Sequence, residues 1–181
     1  MKTKYAFAAA LSGQDIKRAR KQLQLTQQEL ADLTGISKKT VERWESSGTD
    51  ITGPIIPLLR ILTEQPSFVE RYRISPRNTP LRLYYYNRKD LCTVIDVDEP
   101  ARKIEIRNYT DHLQFRAFGS IEHPDFRQYE DFLESRCFPR GRDKMKLELR
   151  ELGLPFYDPF LIIEKTEGRM ADDDFWIRIE R

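Results

Sequence analysis

Residues 25–48, LTQQELADLTGISKKTVERWESSG, constrain the fold more tightly than any other stretch of the chain. Thr26 and Glu29 stand three apart, the spacing of a capping box, and start a helix. Leu30, Ala31 and Leu33 continue it with helical periodicity, and Gly35 ends it as a residue able to take positive φ. Ser37 is placed to cap a second helix. Val41 and Trp44 in that helix are three apart, so they share one face and pack beneath the first helix. Lys38, Lys39, Thr40 and Arg43 then point outward. A short helix with a Val/Trp face and a Lys/Lys/Thr/Arg face is an element that a DNA major groove accepts. The plainer alternative is an amphipathic helical pair whose cations are only solvated.

From Leu25 to Glu45 the chain resembles, without gaps, the helix-turn-helix of the Xre (phage-repressor) family. The residues that carry the resemblance are L-T-Q-x-E-L-A, then G-x-S, then V-x-R-W-E. With P-x-x-x-L-L-R-I-L-x-x-x-P following, the resemblance spans residues 12–66 and is antitoxin-like, similar to the DNA-binding half of certain toxin–antitoxin systems. It implies double-stranded DNA as the ligand. It further implies that Ser37, Lys38, Lys39 and Arg43 read base edges, with Thr40 on the same outward surface, and that Gln27 contacts a phosphate.

The charge distribution suits this placement. The formal net charge is only +2, which excludes a uniformly basic coat. Residues 1–75 carry 12 Lys/Arg against 8 Asp/Glu, and residues 76–181 carry 19 against 21. The positive excess therefore lies with the motif, where phosphate attraction needs it. Two isolated cysteines, Cys92 and Cys137, fit a reducing cytoplasm better than a disulfide framework. There is no apolar run of membrane-spanning length and no signal-peptide pattern, so a cytoplasmic location is expected.

Around the motif, Met1–Leu11 is expected to be an extended arm with Tyr5 and Phe7 leaning on the domain. Ser12 and Asp15 cap a first helix whose buried stripe is Ile16, Ala19 and Leu23. Lys17, Arg18, Arg20 and Lys21 fall on its remaining surface, either solvated or against the DNA backbone. Pro54 opens a later helix that ends near Gln65 and holds more apolar residues than one surface helix needs. The surplus is a candidate dimer seam. Residues 67–80 read as a connector, with the boundary at 75–79.

From Leu81 the period changes to that of strands. Residues 81–86, 91–97, 104–109 and 114–118 read as four β-like runs, followed by helices over 124–137, 144–152 and 159–165 and a final strand at 175–179. The expected fold is α+β in two domains. Residues 1–75 form an all-α DNA-binding domain, and residues 79–181 form a small antiparallel sheet with helices on one face. Consecutive Tyr84, Tyr85 and Tyr86 must point to both faces of that sheet.

No enzymatic motif, cofactor-binding loop or metal-ligand spacing stands out in the second half. His112 and His123 lack partners at metal spacing. Asp172–Asp174 reads as a solvated loop, and Cys137 has no evident general base. Arg136, Arg140, Arg142 and Lys144 form the densest basic group there. The phrases C-F-P-R-x-R-D, L-G-L-P-F-Y-D-P and E-G-R-M-A-x-D-D-F-W-I resemble uncharacterised small proteins of Firmicutes mobile elements, which implies a setting and no mechanism. The resulting expectation is a non-enzymatic regulator of a mobile element. It is a repressor or antitoxin that autoregulates its operon, is a homodimer, and holds a toxin or only dimerises through residues 79–181. The alternative is an anti-CRISPR protein, in which those residues inhibit a Cas nuclease of the Cas9 type.

Overall fold

The structure, a computed structural model, describes residues 4–141 and 143–181. It divides into two compact units, parted between Ile74 and Ser75.

The first unit is all helical: α1 Gly13–Gln22, α2 Gln27–Thr34, α3 Lys38–Ser46, α4 Ile55–Glu64 and α5 Pro66–Tyr72. Ser12 and Thr26 each form a full capping box, with Asp15 and Glu29, and Ser37 caps α3 through the Thr40 amide. Gly35 closes α2 in the left-handed conformation, φ 68°. The core is Ile16, Leu30, Val41, Leu59 and Leu62, all 2% exposed or less, with half-buried Trp44 against it. Gly13 sets the fit of α1 on α3. A Cβ there would fall inside the van der Waals surface of the Trp44 carbonyl oxygen and crowd that of Ser47.

Two sequence expectations are corrected in this unit. The connector contains helix α5, because Pro66 occupies the first helical position, Val69 is buried, and Phe68 and Tyr72, four apart, bring their rings to 4.9 Å. Within the expected arm, whose first three residues lie outside the described ones, Tyr5 and Phe7 do not lean on the domain. They are 78% and 45% exposed, while Leu11 is tied to Ile51 by a two-way backbone bridge.

The second unit is a four-stranded antiparallel sheet in the order β3-β2-β1-β4, with three helices: β1 Leu81–Asn87, β2 Asp90–Asp98, β3 Lys103–Asn108, α6 Phe126–Ser135, α7 Met145–Glu151, α8 Pro159–Thr166 and β4 Phe175–Glu180. The fold class is therefore α+β, as expected. Leu83 and Tyr85 of β1, Ile95 of β2, Ile106 of β3 and Ile177 of β4 share the face that meets Tyr129 and Phe132 of α6 and Ile162 and Ile163 of α8. Tyr84 and Tyr86 lie on the other face. Tyr84 is nevertheless buried, under the guanidinium of Arg178 at 4.1 Å and with its hydroxyl donating to Glu180 at 2.6 Å. Tyr86 stacks on Trp176 at 4.4 Å.

Residues 114–118 are not a strand. A 3-10 turn covers Leu113–Phe115, and Phe115 and Phe118 both pack into the core. A separation of three cannot put two side chains on one face of a strand, whose period is two, but a tight turn can.

Candidate nucleic-acid interface

In α3, successive residues are about 100° apart around the axis. Val41 is fully buried, and Trp44 and Glu45 flank it. The opposite face is centred on Lys39 and Arg43, which are four apart and so aligned along the helix. Both are exposed, and neither side chain has a hydrogen bond or ion pair among the described residues. Lys38 lies on the flank and is engaged with Glu42, four residues on, at 3.3 Å. Thr40 lies on the other flank, half buried. Its hydroxyl is 2.9 Å from that of Ser37, whose oxygen also accepts the Thr40 amide at 3.1 Å. The expected readout residues thus come together on one short helix. Lys39 and Arg43 are available to a ligand, Lys38 is shared with a carboxylate, and Ser37 caps the helix with Thr40 bonded to it.

Gln27 begins α2, and its carboxamide nitrogen donates to Glu45 at 3.0 Å. Glu45 in turn takes two charge-assisted bonds from Arg20, at 2.6 and 2.9 Å, and Arg20 also donates to the Leu25 carbonyl at 2.8 Å. The pair is well sheltered, with side chains 12% and 5% exposed. Hydrogen bonding to Arg20 holds the Glu45 carboxyl below the usual glutamate value, and the same contact raises Arg20. One clip therefore joins α1, the start of α2 and the end of α3, and it fixes the orientation of Gln27. A second N–H of that carboxamide remains for an outside acceptor.

The basic group on α1 is correspondingly smaller than the sequence implied. Arg20 belongs to the clip and Arg18 pairs with Asp15 at 3.1 Å. Lys17 and Lys21 remain, four apart, and the charge of Lys17 is felt by Glu45. Arg20 and Glu45 were the residues that sequence reasoning missed. The available signal was their position: Arg20 lies four residues after Ile16, and Glu45 four after Val41, so both sit on buried stripes.

Residues 16–59 match the helix-turn-helix family. The matched span runs from α1 into α4 and includes the whole α2–α3 pair. No curated protein and no solved structure matches the chain. The helix-turn-helix supports a DNA-binding regulator in general.

Among the second unit's candidate groups, Arg136 departs from its sequence reading. Arg136 is buried. It donates to Asp173 at 2.6 and 2.9 Å and to the Gly168 carbonyl at 3.1 and 2.8 Å. Arg140 pairs with Glu134 at 2.8 Å, and Arg142 lies outside the described residues. Arg136 is thus withdrawn from the expected basic group, and Asp172–Asp174 is an exposed loop, as expected, in which the Asp173 carboxylate is engaged by Arg136. Cys137 is buried, and burial pushes its thiol up to about 12, so the neighbouring arginines do not produce a thiolate. Among the described residues, no group of three or more His, Cys, Asp or Glu is arranged to hold a metal, and no helix is long and apolar enough to cross a membrane.

Proposed function

We propose that this chain is a sequence-specific repressor or antitoxin of a mobile element that binds its own operator as a homodimer. Lys39 and Arg43 read base edges in the major groove, Ser37, Lys38 and Thr40 lie at the groove wall, and Gln27 donates to a phosphate. Residues 75–181 hold a protein partner or the second subunit. The observation that carries this reading is the aligned, unpaired Lys39–Arg43 stripe on the one exposed face of a capped and clipped α3. The dimer is supported by the apolar surface of α4 and α5, where Ile61, Phe68 and Tyr72 are 49%, 47% and 44% exposed. Dimers place two recognition helices about 34 Å apart, so the operator is a palindrome.

The test is to select operator DNA with the full chain and then measure binding by fluorescence anisotropy. Lys39→Ala or Arg43→Ala should relax discrimination at one base position by about 1–3 kcal/mol. Gln27→Ala should weaken all sequences alike, since phosphate contacts position without specifying. Unchanged discrimination after replacing Lys38, Lys39 and Arg43 together would overturn the groove assignment. A strict monomer binding one half-site at full affinity would overturn the dimer.

A further inference from the structure

Helix α7 and the turn after it expose apolar side chains that the core of the second unit does not take up. Leu147 is 48% exposed and Phe156 58%. Next to them runs a shallow groove of about 540 Å³, lined by Lys146, Leu149, Arg150, Gly153, Leu154 and Pro155. Most of the Leu152–Pro159 run has a structural explanation. Gly153 takes φ 70°, the Tyr157 hydroxyl donates to the Phe138 carbonyl at 2.8 Å, Asp158 caps α8, and Pro159 is its first residue. Packing explains nothing about Phe156.

The rim of the groove is cationic. Lys146 and Arg150 are four apart on α7 and so aligned, and neither has an ion pair among the described residues. The carboxylates of the helix, Glu148 and Glu151, lie about 200° and 140° round the axis from Lys146, away from the groove. Two unneutralised cations thus border an apolar floor, in a half of the chain that carries 21 acidic against 19 basic residues. An acidic side chain complements the rim, and a large apolar one fits the floor between Leu149, Leu154 and Pro155. Nucleic acid would satisfy only the cations.

We propose that this groove docks a segment of a partner protein in which acidic and large apolar side chains alternate. The proposal rests on reading residues 75–181 as the partner-holding unit, and it is independent of the DNA contacts made by α3.

The experiment uses the full chain and a fluorescein-labelled peptide alternating glutamate with leucine, with a lysine–leucine peptide as its counterpart. Anisotropy should show binding of the first peptide, weakened by salt, and no comparable binding of the second. Lys146→Glu with Arg150→Glu should weaken it about tenfold or more. Phe156→Ala should weaken it, and Lys39→Glu with Arg43→Glu should leave it unchanged. Hydrogen exchange on the unsubstituted chain should show new protection at residues 145–156. Indifference to peptide charge or to the double reversal overturns the groove, as does loss of operator binding on that reversal, which would mark a nucleic-acid surface. Protection elsewhere within residues 75–181 overturns the groove and leaves the partner reading standing.

Discussion

The Arg20–Glu45 clip fixes the geometry of the α2–α3 pair, and Glu45→Ala tests how much. The substitution leaves the Arg20 guanidinium, 12% exposed, with the Leu25 carbonyl, at 2.8 Å, as its one remaining acceptor among the described residues. It also removes the acceptor of the Gln27 carboxamide. Breaking a sheltered ion pair from one side costs about 3–5 kcal/mol, and the low end applies here because Arg20 keeps some solvent and one acceptor. The expected loss is therefore about 3 kcal/mol, a large part of the roughly 5–15 kcal/mol that stabilises a domain. Trp44 adjoins Glu45, so urea unfolding followed by its fluorescence in a Trp176→Phe background reports on the first unit alone. Replacing both partners, Arg20→Met with Glu45→Leu, should cost less than Glu45→Ala, because no charge is left unpaired. The pH dependence has a definite sign. The Glu45 carboxyl lies below the ordinary value of 4.5, so its contribution is full above that pH and is lost as pH falls through the lower folded value. A cost below about 1 kcal/mol, the range of exposed pairs, would refute the reasoning, and so would a double variant no better than the single one.

Gly13→Ala should destabilise the first unit by about 1–3 kcal/mol despite the better helix propensity of alanine, because the new methyl meets backbone carbonyls that cannot rotate away; thermal melts check this. Asp173→Asn should cost about 2 kcal/mol by leaving buried Arg136 short of its carboxylate, and urea unfolding followed by Trp176 fluorescence reads the loss. In the parent, hydrogen bonding to Arg136 lowers the Asp173 carboxyl, so this contribution too is full above 3.8 and fades as pH drops through the lower folded value. At pH 8 the Cys137 thiol, pushed up to about 12, should react with iodoacetamide about a thousandfold more slowly than in urea; comparable rates would place it at the surface.

Much of the first unit was legible because its signals are local. A cap, its partner three residues on, a turn glycine and a buried pair at helical spacing all fall within one or two turns. Caps at Ser12, Thr26 and Ser37 could be read from adjacent residues for that reason. What the sequence hid depends on separations of 25 or more: Arg20 with Glu45, and Arg136 with Asp173. Charged residues at such distances look like surface charge until the fold brings them together. The α5 helix was obscured by Pro66, which punctuates a chain as readily as it starts a helix. Residues 114–118 had strand-like composition, and only their spacing of three between phenylalanines argued otherwise.

The placement of the arginines has a common logic. Arg20, Arg82 and Arg136 each bind one carboxylate through two nitrogens and also donate to backbone carbonyls: Leu25 for the first, Ser75 and Pro76 for the second, Gly168 for the third. A planar guanidinium with five donors can satisfy a carboxylate and a chain segment at once, whereas a lysine ammonium cannot hold that fork. These arginines act as internal clips and contribute little to the field outside. The charge that a partner meets is what remains after such pairs are removed. On α3 that remainder is Lys39 and Arg43, and on α7 it is Lys146 and Arg150, in each case aligned four residues apart. Net charge by sequence half therefore understates how local these two cationic stripes are. The first borders a capped helix suited to a groove of DNA, and the second borders an apolar floor, so the neighbouring surface separates their ligands more than the cations do.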